Sequence, residues 1–149
     1  MSYLLDTNVL SEVRRPRPDP RVLAWLDTAD EDRLYLSAIT IGEIARGVAL
    51  LEDGRRKQDG RRKQDLAAWL ETDLQHRFGP RLLAIDGETA LVWGRLMGEA
   101  RQKGRAVGAM DGWIAATALR HELVLVTRNT KDFENLGVSL FDPWTEISR

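Results

Sequence analysis

Apolar residues along this chain switch repeatedly between short runs and helical spacing. Tyr3-Leu4-Leu5 is a short apolar run that ends in Asp6-Thr7-Asn8, a cluster of helix-capping side chains. That order predicts a buried strand feeding a helix. After a turn written by Pro16, Pro18 and Pro20, the residues Val22, Leu23, Trp25 and Leu26 recur at helical spacing. Leu34-Tyr35-Leu36 reads as a second strand, and Ile41, Ile44, Ala45, Val48 and Leu51 trace one face of the helix behind it. Leu66, Trp69, Leu70 and Leu74 form another amphipathic pattern, and Leu82-Leu83-Ala84-Ile85 a third strand. Val92, Trp93, Leu96, Met97 and Ala100 predict a helix over 89–101. Ile114, Ala115, Ala118 and Leu119 predict one that opens at Asp111 and ends near His121. Leu123-Val124-Leu125-Val126 is apolar on both faces and is the strongest strand; residues 138–141 supply the last.

Strand and helix alternating in this way predict an α/β fold of three layers, with a central parallel sheet of about five strands flanked by helices. Ligands of such folds bind beyond the carboxyl ends of the strands, where the strand order reverses. Asp6 and the segment 127–132 both stand just past a strand.

At 149 residues with 43% hydrophobic side chains, one domain over 1–149 with an ordinary core is expected. The net charge of −1 is a near-cancellation of 22 basic and 23 acidic residues, so the location of each sign matters more than the sum. Basic residues cluster at Arg14-Arg15-Pro16-Arg17, Arg55-Arg56-Lys57, Arg61-Arg62-Lys63 and Arg101-Gln102-Lys103-Gly104-Arg105. Two of these clusters belong to a tandem copy of Gly-Arg-Arg-Lys-Gln-Asp at 54–59 and 60–65. Inside a packed helix, six extra residues would add about 9 Å and swing the apolar face by roughly 240°. A surface loop or protruding helix end over 54–65 is therefore expected. The absence of cysteine excludes disulfides, thiolate nucleophiles and cysteine-ligated metal sites. No apolar run reaches the roughly 20 residues of a membrane span, and no signal-peptide order opens the chain, so a soluble, cytoplasmic protein that does not engage membranes is expected.

The candidate chemistry lies in four carboxylates at strand-to-helix boundaries: Asp6, Glu43, Asp111 and Asp132. Gathered in one pocket, four acids cannot all stay ionised without a cation, which points to a hard metal ion and phosphate chemistry. Each also has a structural alternative. Asp6 can cap the first helix, and Asp111 can favour the positive end of a helix dipole. Thr40-Ile41-Gly42-Glu43 matches a capping box, unless Ser37 is the cap and Glu43 lies a turn deeper. Asn129-Thr130-Lys131-Asp132 can be a turn that caps its own backbone. Two histidines, His76 and His121, stand in amphipathic stretches and do not suggest a paired-histidine mechanism. Trp25, Trp69, Trp93, Trp113 and Trp144 stand mostly at helical spacing, as expected of core or dimer-contact residues rather than base-stacking ones.

The segments Leu4-Leu5-Asp6-Thr7-Asn8-Val9-Leu10-Ser11-Glu12, Tyr35-Leu36-Ser37-Ala38-Ile39-Thr40-Ile41-Gly42-Glu43, Met110-Asp111-Gly112-Trp113-Ile114-Ala115-Ala116-Thr117-Ala118, Val126-Thr127-Arg128-Asn129 and Phe141-Asp142-Pro143-Trp144 occur in order. In these the chain resembles the PIN-domain ribonucleases of the VapC toxin type, FitB-like branch, over essentially its whole length. The resemblance implies a five-stranded parallel sheet, a Mg²⁺- or Mn²⁺-dependent endoribonuclease, a homodimer, and a VapB-type antitoxin partner through which alone DNA is reached. Asp6, Glu43 and Asp111 fall on the family's acidic positions. At the fourth position some members carry an acid where this chain has Asn129, and others use the acid before Phe, here Asp132. An amide keeps an oxygen ligand but removes a charge, so Asn129 bears on metal affinity and on whether a second ion is held. Asp6 and Asp111 are the expected direct ligands, because Mg²⁺ needs only one or two carboxylates besides water and phosphate. Glu43 and Asp132 would bind through water, orient the attacking water, or hold a second ion in a two-metal mechanism. A haloacid-dehalogenase-type phosphatase would require an acid where this chain has Asn8. The remaining alternative is a catalytically weak PIN-like module that binds RNA or a partner.

Overall fold

The computed structural model describes residues 1–51, 57–145 and 147–148. Its sheet is built from β1 (Tyr3–Leu5), β2 (Leu34–Ser37), β3 (Leu82–Leu83), β4 (Val124–Val126), β5 (Leu140–Asp142) and β6 (Ile147–Ser148). They lie in the order β3-β2-β1-β4-β5-β6. The first five are parallel, as the alternating pattern predicts, and β6 adds an antiparallel edge that the pattern did not predict. From β1 the chain builds outward to β2 on one side and to β4 on the other, so the order reverses between β1 and β4. Their carboxyl ends bound the crevice where such folds bind ligands.

Period-two alternation divides the core. Leu4 of β1 and Leu125 of β4 face one layer, while Leu5 and Val126 face the other, and all four are fully buried. The layer on Leu5 and Val126 contains Val9 and Leu10 from α1 (Thr7–Val13) and Val22 from α2 (Pro20–Thr28). Ile41 and Ile44 of α3 (Ala38–Leu50) pack against it. The layer on Leu4 and Leu125 contains Leu96 of α6 (Gly87–Gln102), Ile114, Ala115 and Ala118 of α7 (Ala109–Arg120), and Phe133 of α8 (Thr130–Phe133).

Four strands differ from the pattern in extent: β2 runs on to Ser37 and β4 begins at Val124 instead of Leu123, while the third and the last each differ by two residues at one end. The third ends at Leu83 instead of Ile85, because its neighbour β2 ends at Ser37, the residue that caps α3. The last begins at Leu140, where pairing with Leu125 begins, and Val138 packs against the core from outside the ladder. Of the tandem copies, residues 54–56 lie outside the described part, and 57–65 belong to α4 (Lys57–Ala68). This helix runs through a π-helical turn, Trp69–Leu74, into α5 (Gln75–Phe78). Leu70, Leu74 and Phe78 stand four residues apart and are all buried. A regular helix of 3.6 residues per turn would drift away from that line, and the wider turn follows it.

Truncating Leu125 to Ala at the sheet's centre should cost about 2–5 kcal/mol. The same change at Leu50, which is 65% exposed, should stay within about 0.5 kcal/mol. Urea unfolding midpoints of the two variants measure the contrast.

Candidate metal centre

Asp6 is the first residue past β1, and its backbone N–H still donates to Val126 O of β4 at 2.9 Å, which fixes it over the crevice. Its carboxylate caps α1, Oδ1 accepting from Thr7 N at 2.8 Å. Oδ2 accepts from the hydroxyl of buried Thr127, also at 2.8 Å. Thr127 Oγ1 in turn accepts from Asn129 N at 3.0 Å and Asn8 Nδ2 at 3.3 Å. One hydroxyl thus ties the loop leaving β4 to the acid leaving β1.

Glu43 resolves in favour of the deeper position. Ser37 caps α3 by accepting from Ile39 N at 3.1 Å, so Glu43 takes no part in a capping box. Its Oε1 instead accepts from Thr7 Oγ1 at 2.9 Å, next to Asp6. Asp111 stands in the first turn of α7 and is half-buried; Asp132 stands in the first turn of α8 and is exposed. Asn129 holds the N-cap position of α8 without a side-chain cap bond. Asp6 is therefore cap and candidate ligand at once.

Burial is the main cause that pushes the Asp6 carboxyl above its ordinary range, and it outweighs the hydrogen bonds from Thr127 and Thr7 that pull the other way. The negative charges of Glu43 and Asp132 raise it further. Asp111 is raised by burial first, then by Asp6 and Asp132. Asp6, Asp111 and Asp132 thus stand in one another's field, and Glu43 in that of Asp6. Among the described residues, however, no three acidic or histidine side chains converge into a ready-made cage for an ion. These two facts are compatible, because Coulomb coupling reaches well beyond ligand distance. Mg²⁺ and Mn²⁺ also suit sites with few direct carboxylates and several waters. The oxygen-only donor set, with buried charge that its own hydrogen bonds do not offset, fits a hard divalent cation.

The remaining candidates sort themselves around this centre. His76 is exposed, and His121 sits at the far end of α7. Trp144 is buried, its Nε1 donating to the buried Glu12 at 3.1 Å, while Trp93 and Trp113 stack with ring centroids 4.5 Å apart. A groove of about 550 Å³ starts at Thr7 and Glu43 and is walled by Ile44, Val48 and Trp69 with Arg14 and Arg61. On the other side, Asp111 and Asp132 share a pocket of about 350 Å³ with Arg105 and Lys131. Lys131 was not singled out by the sequence; its only signal is adjacency to Asp132.

A family model described as PIN domain matches residues 3–138. Toxin FitB of Neisseria gonorrhoeae is 42% identical over 141 residues, 95% of this chain and 97% of that protein. VapC ribonuclease Y4jK of Sinorhizobium fredii is 37% identical over 141 residues, 95% of this chain and 96% of its own length. In the solved structure of FitAB bound to an IR36 DNA fragment, one chain superposes with a TM-score of 0.84 at 40% identity, covering 95% of both chains.

Raised carboxyl pKa values make a prediction about stability. A folded state with the higher pKa binds protons more tightly than the unfolded chain, so stability in the absence of metal should rise as the pH falls from the raised pKa toward the ordinary carboxylate range. Asp111→Asn removes one mutually repelling charge and should raise the metal-free melting midpoint at neutral pH by about 1–3 °C. That advantage should shrink as the pH is lowered, in melts recorded in chelator from pH 7.5 to 4.5.

Proposed function

The chain belongs to the PIN-domain family, and from that premise we propose that it is a Mg²⁺- or Mn²⁺-dependent endoribonuclease, the toxin of a toxin–antitoxin pair. The observation that carries this reading is the placement of the acids at the switch point between β1 and β4, where Thr7 joins Asp6 to Glu43, one pocket holds Asp111 and Asp132, and burial with neighbouring negative charge raises the Asp6 and Asp111 carboxyls. Asp6 and Asp111 would hold the metal, and Glu43 and Asp132 would assist beside it. When bound, the metal offsets charge on the scissile phosphate and acidifies a coordinated water. Thr127 and Thr7 hold the Asp6 carboxylate in one rotamer, so its oxygens meet the ion already oriented. Glu43, released from capping, is the group available to orient the attacking water and accept its proton. Asp132 completes the set in preference to Asn129, since it carries a charge and lines the same pocket as Asp111, which Asn129 does not.

The partner that fits the groove beside Thr7 and Glu43 is the antitoxin. The walls from Ile44, Val48 and Trp69 suit an apolar helix face, and Arg14 and Arg61 on the rim suit acidic residues. An antitoxin arginine extended past Thr7 and Glu43 would replace the metal's charge and silence the centre. Homodimerisation and a cytoplasmic location complete the proposal; no described helix is long and apolar enough to cross a membrane.

Purified protein should cleave single-stranded RNA only with Mg²⁺ or Mn²⁺, and Asp6→Asn should lower the rate at least about 100-fold. Asp132→Asn should lose more activity than Asn129→Ala. Mn²⁺ should raise the melting midpoint of the natural protein more than that of Asp6→Asn. Equal residual cleavage by the natural protein and Asp6→Asn would instead identify a non-catalytic module.

A further inference from the structure

The two basic regions beside the acidic centre differ in lining, and only one is a polar continuation of the acids. Asp111 and Asp132 stand at one end of the 350 Å³ pocket, with Arg105 and Lys131 on its walls. Arg105, Asn135 and Leu136 line this pocket and also a second one, of about 380 Å³, bordered by Arg95 and Lys103. The two adjoin at these three residues and are taken together as a trough. Against Arg95, Lys103, Arg105 and Lys131 stand Glu134 in the first part and Glu99 in the second, where Val92, Leu96, Leu119 and Leu136 add an apolar wall; Asp111 and Asp132 aside, basic side chains outnumber acidic ones.

Arg105 is built into the joint between the two. The chain leaves α6 through Gly104 at φ +70°, a conformation that a side chain would strain, and Arg105 N donates to Ala100 O at 2.8 Å. Its guanidinium donates to Asn135 O at 2.7 Å, which uses one of five N–H donors and, among the described residues, leaves the others for a ligand. Lys131 is exposed on α8, next to Asp132 in sequence. Among the described residues neither cation is ion-paired to Asp111 or Asp132, although all four border one pocket. Cations that served only to neutralise the acids would close on them. A phosphodiester approaching an acidic centre is repelled by it, and fixed cations alongside offset that repulsion.

We propose that this trough, from Asp111 and Asp132 past Lys131 and Arg105 to Arg95 and Lys103, is the track of the single-stranded RNA on one side of the scissile phosphate. Lys131 and Arg105 bind the nearest backbone phosphates, and Arg95 and Lys103 bind those further along. The assignment rests on the endoribonuclease reading, and binding separates the two.

Fluorescence anisotropy of a labelled, unstructured RNA of roughly twelve nucleotides, in chelator, reads affinity without cleavage. The double variant Arg105→Gln/Lys131→Gln should bind at least about fivefold more weakly and flatten the slope of log affinity against log salt by roughly 1.4, for two contacts at about 0.7 each on a single strand. Lys131→Gln alone, which removes no hydrogen bond among the described residues, should give about half that change with an unaltered melt. In cleavage assays the double variant should raise KM and leave kcat within about twofold. Arg95→Gln/Lys103→Gln should weaken the long RNA and leave a short RNA unaffected. Unchanged affinity and slope in the double variant would overturn the track. So would losses equalled by Arg33→Gln, a surface control, or by Arg14→Gln/Arg61→Gln in the apolar groove. A protein that binds RNA through the trough and cleaves none with Mg²⁺ or Mn²⁺ removes the endoribonuclease reading and leaves the track standing.

Discussion

A carboxylate held out of water at the edge of a parallel sheet is the constraint on which the rest of this structure depends. Asp6 is 7% exposed, and its two strong hydrogen bonds do not offset the cost of burying its charge. A lone acid so placed would be a defect. With Glu43, Asp111 and Asp132 in its field it becomes a standing demand for positive charge, which a divalent cation or an inserted arginine can meet.

Topology makes the demand possible. Because the strand order reverses between β1 and β4, the chain leaves the two neighbouring strands into α1 and into the loop before α8 without blocking the crevice. Thr127 clasps the two exits together. Farther out, Trp144 past β5 reaches Glu12 of α1, and Arg128 of the β4 exit lies over the Trp144 ring with its guanidinium 5.5 Å from the centroid. The carboxyl edge is thus fastened at several points distant along the chain, which is what holds a carboxylate set in orientation.

Near-neutral total charge hides a segregated surface. Arg14 and Arg61 stand with apolar walls on the Glu43 side, and Arg105 and Lys131 stand with polar ones on the Asp111 side. The first lining suits a folded amphipathic partner and the second an extended polyanion. The two occupants would meet at the acids, where inhibition and catalysis compete for the same charge.

Much of this was legible in the order of residues. Strand and helix identity follow from local periodicity, so all five parallel strands and the longer helices between them could be named, though not the short α8, whose residues also suit a capped turn. The acids could be marked because they stand near the places where one period gives way to the other. The ladder's limits, the π turn at Trp69–Leu74 and the added β6 were not legible, since they depend on which strand or core residue lies alongside. Glu43 shows the difference most sharply: Thr40 and Ser37 were equal candidates for the cap, and the bond from Ile39 N to Ser37 decided between them. Nor could the pattern foretell that Arg105 would be held beside Lys131, as their juxtaposition needs the end of α6 to pack against the segment after α8. The linear chain determined which residues carry charge and which lie inside, because those are properties of side chains and their spacing. Only the tertiary structure decided which charges share a cleft, because Coulomb energy depends on separation in space and the chain specifies separation only along itself.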